Sequence, residues 1–329
     1  MDKIFQWGIV GPGMIANTYV QSIKAVKGAA VRAVGGRNMD KVNAFADKHN
    51  IPMRYHSFTE VMQDKEVDAV YISLPNNLHA EYVKKAIDAG KAVLCEKPMA
   101  INAKEAKELT EYARQKNVFL MEAVWTRFLP IHDQVKKWIG DGKIGEISMM
   151  RGDFAFNVPW AKGDRHINPQ LGGGAVMDVG VYLISYANDI LGKRPKSVVS
   201  KGYVDETGVD VKNSFIMEYE NGVLVTCVSS VTTDIPNDWY IYGSKGYIHI
   251  RNFWRADSAA LCIRGEEPEV VEIPFEENGY EGEAKEVMRC VQNHLTESSR
   301  MPLDETVAIS EVITEMRKEW NVRFPQDEF

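Results

Sequence analysis

Three short stretches carry residue types whose spacing could do chemistry. In Trp7-Gly8-Ile9-Val10-Gly11-Pro12-Gly13-Met14-Ile15-Ala16, the residues Gly11, Gly13 and Ala16 supply a G-x-G-x-x-G/A spacing. The first glycine makes a tight turn, the second lets backbone approach a pyrophosphate, and the small third residue lets a helix pack close to its strand. The anion would sit where the helix opens, around Met14 and Ile15, because unpaired N–H groups point there. A plain tight turn would also satisfy the spacing; the position at the first strand–helix junction favours the phosphate. In Leu94-Cys95-Glu96-Lys97-Pro98, the lysine falls just beyond a strand-like run. Beside a positively charged nicotinamide it could exchange protons near neutral pH. A solvated lysine paired with Glu96 fits the same spacing. The third stretch, Val34-Gly35-Gly36-Arg37-Asn38, ends the second strand-like run without a carboxylate to hold a ribose 2′-hydroxyl. Arg37 suits a 2′-phosphate, so NADP(H) is expected rather than NAD, unless Arg37 is only a surface residue before a helix capped by Asn38 or Asp40.

The elements that must position these residues alternate over the first third of the chain. Apolar runs at Phe5–Val10, Ala30–Gly35, Ala69–Leu74, Ala92–Cys95 and Val118–Met121 are separated by amphipathic stretches at Ala16–Val26, Asp40–His49, Asn77–Ala89 and Ala103–Lys116. Two-sided apolar strands between helices predict an α/β Rossmann fold, a doubly wound parallel sheet, over residues 1–122. From Ile147 the chain reads as longer strands joined by turns, such as Glu220-Asn221-Gly222, with helices returning at Tyr280–Leu295 and Leu303–Glu319. This predicts an α+β second domain over residues 123–329, built on a mostly antiparallel open sheet.

Composition excludes several classes. A net charge of −7 argues against a protein that coats nucleic acid, which needs a basic face. There is no apolar run long enough for a membrane span, and the start lacks a signal-peptide layout. Cys95, Cys227, Cys262 and Cys290 lie far apart with no CxxC pair, so a reducing cytoplasm is expected. The seven histidines form no HExxH or similar cluster, so no metal is expected, and no G-x-S-x-G elbow occurs.

The glycine loop, the Glu96-Lys97-Pro98 triplet and the glycine-rich segment with Asp178 together resemble the Gfo/Idh/MocA oxidoreductases. Two longer runs, Phe119-Leu120-Met121-Glu122-Ala123-Val124-Trp125-Thr126-Arg127-Phe128 and Gly172-Gly173-Gly174-Ala175-Val176-Met177-Asp178-Val179-Gly180-Val181-Tyr182, resemble its dihydrodiol and NADP-dependent D-xylose dehydrogenase branch. So does Phe324-Pro325-Gln326-Asp327. The resemblance runs nearly end to end and implies a catalytic Lys97.

Asp178 and Tyr182, four residues apart on a predicted helix, share one face. A carboxylate and a phenol converging with Lys97 could relay a proton while hydride leaves a carbinol carbon, so Lys97, Tyr182 and Asp178 are the expected catalytic residues. Many family members carry histidine where this chain has Tyr182. The resemblance places Pro75, Asn76 and His79 of Leu74-Pro75-Asn76-Asn77-Leu78-His79 along the nicotinamide side, with Leu74, Glu96 and Lys97 also at the cofactor. Trp125, Arg127 and Phe128 occupy the crossover between domains, and Phe154 and Trp160 lie on or after the first strand of the second. These five are expected to line a substrate cleft between the domains. The expected function is an NADP-dependent oxidoreductase moving hydride between the nicotinamide and a sugar or vicinal-diol hydroxyl. A keto- or anhydro-sugar reductase, a polyol dehydrogenase and a non-catalytic dinucleotide-binding regulator are the alternatives; the presence of Lys97 disfavours the last. A sheet with one uncovered face, together with the resemblance, implies a homodimer through the second domain.

Overall fold

Alternating apolar strands and one-sided helices open the chain: β1 (Phe5–Val10), α1 (Met14–Ala25), β2 (Ala29–Gly35), α2 (Met39–His49), β3 (Met53–Tyr55), α3 (Phe58–Gln63), β4 (Ala69–Ile72), α4 (Asn76–Asp88), β5 (Ala92–Glu96), α5 (Ala103–Lys116) and β6 (Leu120–Ala123). The computed structural model describes residues 3–158, 161, 163–192, 194–220 and 222–329. The six strands pair in parallel in the order β3-β2-β1-β4-β5-β6. β4 is buried at every position and β1 at all but one, as strands covered on both faces require. α1 buries Ala16, Tyr19, Val20 and Ile23, the i, i+3, i+4, i+7 stripe of a helix lying on a sheet. The strand order reverses between β1 and β4, which opens a crevice at their carboxyl ends.

The chain continues through a 3-10 turn (Trp125–Phe128), α6 (Pro130–Gly140), β7 (Ile147–Ala155), two further 3-10 turns (Arg165–Ile167 and Pro169–Leu171), a π-helical turn (Val176–Gly180) and α7 (Val181–Leu191). Then come β8 (Ser197–Val204), β9 (Asp210–Glu218), β10 (Leu224–Ser230), β11 (Trp239–Gly243), β12 (Gly246–Ile250), β13 (Ser258–Ile263) and β14 (Glu269–Glu272), followed by α8 (Glu281–Gln292) and α9 (Leu303–Glu319). The eight strands run β14-β13-β12-β11-β7-β10-β9-β8, antiparallel except for the β7–β10 pair. Register separates the two faces. Met217, Val225, Met150, Ile241, Ile248 and Leu261 form one row across the sheet, and all are buried. Val199, Ile216, Thr226, Arg151, Tyr240, His249, Ala260 and Val270 form a row on the other face, where Val199 and Val270 are 71% and 61% exposed. Asn221, expected in the hairpin turn between β9 and β10, lies outside the described residues.

The two expected architectures are both present, but the chain divides differently from 1–122 and 123–329. One unit comprises Met1–Trp125 with Glu276–Val307, the other Thr126–Phe275 with Ala308–Phe329. The segment Glu276–Val307, expected in the second domain, returns to the first. There α8 packs on α1, Leu120 N–H donates to Thr296 O at 3.2 Å, and Arg114 pairs with Glu297 and Asp304. The apolar stripe of α8 (Ala284, Val287, Met288, Cys290) shows that it covers something, not which sheet it covers. In the second unit Arg317 is fully buried, donates to both Asp327 oxygens at 2.7 and 3.2 Å and lies 4.1 Å from the centre of the Phe324 ring. That pair ties Phe324–Asp327 back onto α9. No helix among the described residues is long and apolar enough to cross a membrane.

Candidate active site

In the first unit the expected cofactor residues gather along the carboxyl edge of the parallel sheet, after β1, β2, β4 and β5. Gly11 adopts φ +100°, and a Cβ there would come within 2.8 Å of Leu74 Cδ2 and 3.3 Å of Ser73 O, so only glycine fits. Ser73 Oγ donates to Gly11 O at 2.8 Å and steadies the loop. Gly13 is the N-cap of α1 and offers no side chain to its first turn, which leaves backbone N–H groups to meet an anion. Ala16 is fully buried where α1 meets the sheet, while Met14, at the helix start, is 88% exposed. Arg37 is exposed at the tip of β2, with its guanidinium 5.9 Å from the centre of the Phe58 ring. A Cβ on Gly36 would meet Val42 Cγ2 at 2.9 Å and Pro12 Cδ at 3.1 Å, so no carboxylate can be accommodated there without displacing its neighbours. These features fit a dinucleotide.

His79 sits differently from expectation. It is wholly buried, with Nδ1 2.8 Å from Pro98 O and Nε2 2.8 Å from Leu74 O. Both ring nitrogens thus face backbone carbonyls, which leaves neither to meet a cofactor. The ring clamps the loop after β4 to the loop after β5, and so fixes the backbone at Pro98, next to Lys97. Burial pulls its pKa down despite these two contacts, and a neutral ring donates to only one of them. Glu96 accepts from Tyr71 Oη and, at 3.2 Å, from the Lys97 N–H. Tyr71 stacks on Tyr19 with centroids 3.9 Å apart. Beside them the returning α8 delivers Glu283, fully buried, neither of whose oxygens has a hydrogen-bond partner among the described residues. Burial first, then the Glu96 charge, push the pKa of its carboxyl far up. Trp125 is 3% exposed and stacks on Tyr280 at 4.2 Å.

In the second unit Asp178 and Tyr182 lie on adjoining helical segments, Asp178 on a π-helical turn rather than on the α-helix itself. Asp178 Oδ1 accepts from Arg165 Nη1 at 2.9 Å, and Oδ2 stands 3.6 Å from His166 Nε2. His166 Nδ1 is 2.5 Å from Asp164 Oδ1. Tyr182 is nearly buried, 5.5 Å from the Phe154 ring, which in turn stacks on Trp254 at 5.3 Å. Arg127 is placed elsewhere from the expected substrate wall. It is 3% exposed and donates to Ser185 Oγ at 2.7 Å and Ser185 O at 2.9 Å. It also joins the ring of donors around Asp189, with His132 at 2.6 Å and Lys136 at 3.1 Å. Burial alone would raise the Asp189 pKa; the His132 contact and the charges of Arg127 and Lys136 outweigh it and hold the carboxylate far below its usual range. Arg127 therefore ties the 3-10 turn to α7. Phe128 is buried beside it in sequence, and Trp160 lies outside the described residues.

Comparison with known proteins agrees with this geometry. Residues 5–124 match the family model described as "Oxidoreductase family, NAD-binding Rossmann fold" (GFO_IDH_MocA), and residues 132–249 match the GFO/IDH/MocA C-terminal domain. The chain is 34% identical to trans-1,2-dihydrobenzene-1,2-diol dehydrogenase of Mus musculus, over 98% of both chains. Aldose-aldose oxidoreductase from Caulobacter crescentus, complexed with glycerol, shares the fold at TM-score 0.88 and 22% identity, over 96% of this chain and 97% of that one. A 3-ketoreductase from Actinomadura kijaniata, in complex with NADP and TDP-benzene, does so at 0.84 and 23%, over 95% and 97%.

The turn that carries Asp178 rests on a second buried acid. Asp210 accepts at Oδ2 from the Val176 N–H at 2.9 Å and from Asn213 Nδ2 at 2.7 Å, while Oδ1 has no partner among the described residues. Burial raises its pKa to about 7, against those hydrogen bonds and the charge of Arg317, which lower it. A carboxyl whose folded pKa exceeds its unfolded value stabilises the fold fully below the unfolded pKa, and that contribution is lost as pH rises through the folded one. The unfolding free energy of the wild type should therefore fall relative to that of Asp210→Asn between about pH 4 and pH 7, by at most ~1.4 kcal/mol per pH unit, and level off above. Urea titrations of both proteins across that range check this; a constant difference would mean that Asp210 is ionised throughout.

Proposed function

The chain belongs to the Gfo/Idh/MocA oxidoreductase family, and from that premise we propose that it moves hydride between NADP(H) and a hydroxyl of a sugar or vicinal diol. A nicotinamide, when bound, supplies the hydride acceptor, or the donor in the reverse direction. Gly11, Gly13 and the start of α1 would receive its pyrophosphate, and Leu74, Pro75, Asn76, Glu96 and Lys97 border the same sheet edge. Lys97, Tyr182 and Asp178 would manage the hydroxyl proton. Tyr182 and Phe154 would give the substrate an aromatic wall, a surface suited to the apolar face of a ring-shaped diol or sugar. The observation that supports this function most is Lys97 on the edge that bears the glycine loop, in a chain 34% identical over its length to an enzyme whose name states a diol substrate. Its test is a panel of aldoses, polyols, dihydrodiols and dicarbonyls with NADP(H) and NAD(H), followed near 340 nm, roughly the absorbance of the reduced nicotinamide. No turnover across the panel despite tight dinucleotide binding would overturn the reading. Lys97→Met should lower kcat by roughly 10²–10⁴, with far less change in dinucleotide binding. Activity near wild type would remove Lys97 from the chemistry.

NADP over NAD follows from Arg37. A 2′-phosphate carries close to two negative charges, which a guanidinium can meet with paired hydrogen bonds. One charge-assisted contact is worth about 1.5–3 kcal/mol, or roughly ten- to a hundred-fold in affinity. Arg37→Ala should raise KM for NADP by that order and leave KM for NAD nearly unchanged; equal loss for both cofactors would show that Arg37 does not read the phosphate.

The outer face of the eight-stranded sheet supports a homodimer. Val199, Tyr203, Ile216, Leu224 and Val228 are all at least 39% exposed on the neighbouring strands β8, β9 and β10. A contiguous apolar face of this kind marks an interface, and two copies can bury it across a two-fold axis. The four cysteines form no disulfide, which suits the reducing cytoplasm proposed as its compartment. The double variant Val199→Asp, Ile216→Asp should scatter light as a monomer while the wild type scatters as a dimer; a wild-type monomer mass at every concentration would defeat the proposal.

A further inference from the structure

The glycine run ahead of Asp178 is explained by neither phosphate binding nor the hydride site. Its geometry shows what it permits. A Cβ on Gly173 would lie 2.6 Å from Arg165 O, 2.8 Å from His166 O and 2.9 Å from Asn168 N. Gly174 adopts φ +124° and donates its N–H to His166 O at 2.7 Å. The run therefore lets the 3-10 turn Arg165–Ile167 close tightly against the start of the π-helical turn. Closed in this way, it presents two side chains to Asp178: Arg165, which holds Oδ1, and His166, whose Nε2 faces Oδ2. Asp164, the N-cap of the same turn, takes the His166 backbone N–H at 2.9 Å and its Nδ1 at 2.5 Å. The Nδ1 contact to a carboxylate orients the ring and directs Nε2 toward Asp178.

Side-chain exposure rises along this line, from 8% at Asp178 to 13% at His166 and 27% at Asp164. Oxidising a carbinol sends hydride to the nicotinamide and leaves one hydroxyl proton per turnover to be delivered to water. We propose that His166, oriented by Asp164, carries the proton between Asp178 and water. This rests on the function proposed above, in which Asp178 handles the hydroxyl proton. In the oxidative direction Nε2 takes a proton from Asp178, and the ring gives one up at Nδ1 to Asp164, which releases it to solvent. One proton enters and one leaves; the electrons stay with the hydride. Reduction runs the same line inward. The 3.6 Å gap between Nε2 and Oδ2 is longer than a hydrogen bond, and catalytic contacts of this kind commonly tighten when substrate is gripped. The charged groups facing the ring are Asp164 and Arg165 from its own turn and Asp178 from the π-helical turn, and the Phe156 ring lies edge-on at 5.6 Å. His166 is thus a positioning and relay residue rather than one that touches the reacting atoms.

The test compares His166→Gln, Asp164→Asn and Lys97→Met with the wild type on the best substrate of the panel. His166→Gln should lose roughly 10²-fold in kcat, keep its dinucleotide affinity by fluorescence titration, and regain activity with added imidazole. Asp164→Asn, which keeps the ring but removes its acceptor, should displace the kcat–pH profile. A His166→Gln enzyme with wild-type kcat and profile, or a loss that imidazole leaves untouched, overturns the relay. If glutamine at 166 impairs folding, Asp164→Asn decides: an unchanged profile overturns the relay. Lys97→Met separates the two claims, because near-wild-type activity there refutes the hydride-transfer reading itself. An inactive Lys97→Met beside an unaffected His166→Gln refutes the relay alone.

Discussion

All six strands of the first sheet run in one direction, so all six carboxyl ends lie on one edge. That single constraint places the glycine loop, Arg37, the Leu74–Asn76 turn and Lys97 on a common rim, although they are spread over 87 residues from Gly11 to Lys97. No loop has to reach for its neighbour. The order reverses between β1 and β4, and the crevice this opens is where ligands of such sheets bind. Local packing then refines the rim: Gly11 is held against Leu74 and Ser73, and the His79 ring joins the loop after β4 to the loop that carries Lys97.

Away from that rim the molecule handles buried acids in contrasting ways. Asp189 is ringed by His132, Arg127 and Lys136 and stays ionised. Glu283 has no hydrogen-bond partner for either oxygen among the described residues, and burial together with the Glu96 charge pushes its pKa far up. Asp210 lies between these cases, with one oxygen bonded to the turn that carries Asp178 and the other without a partner among the described residues. An isolated charge in such surroundings is costly, so partners hold the carboxylate of Asp189 charged while burial pushes the pKa of the others up.

Much of this could be read from residue order alone. Two-sided apolar runs announced the parallel strands, and the G-x-G-x-x-A and Glu-Lys-Pro motifs marked the two loops that matter most. β3 and α3 escaped because three and six residues are too few to display a period. The partners of Arg127 escaped because a guanidinium in a crossover looks the same whether it meets a ligand or, as here, a helix nearly 60 residues later. Glu283 and Tyr280 were illegible for the same reason at larger scale: nothing in an amphipathic helix says which sheet it will cover. The glycine run before Asp178 was visible, but three glycines can mean slack chain or close approach. Only the crowding around Gly173 identifies the second.

The return of Glu276–Val307 to the first unit has a consequence for how the protein is made. Residues 126–275, about 150 of them, stand between the parallel sheet and the helix that covers α1. At a ribosomal pace of ~5–20 residues per second, that interval lasts roughly 8–30 s. Throughout it the nascent Rossmann sheet lacks Glu283 beside Tyr19 and Tyr71, and Trp125 lacks the ring it stacks on. The first unit to emerge is therefore among the last to be completed, and its uncovered aromatic surface is what a chaperone waiting at the tunnel exit would meet.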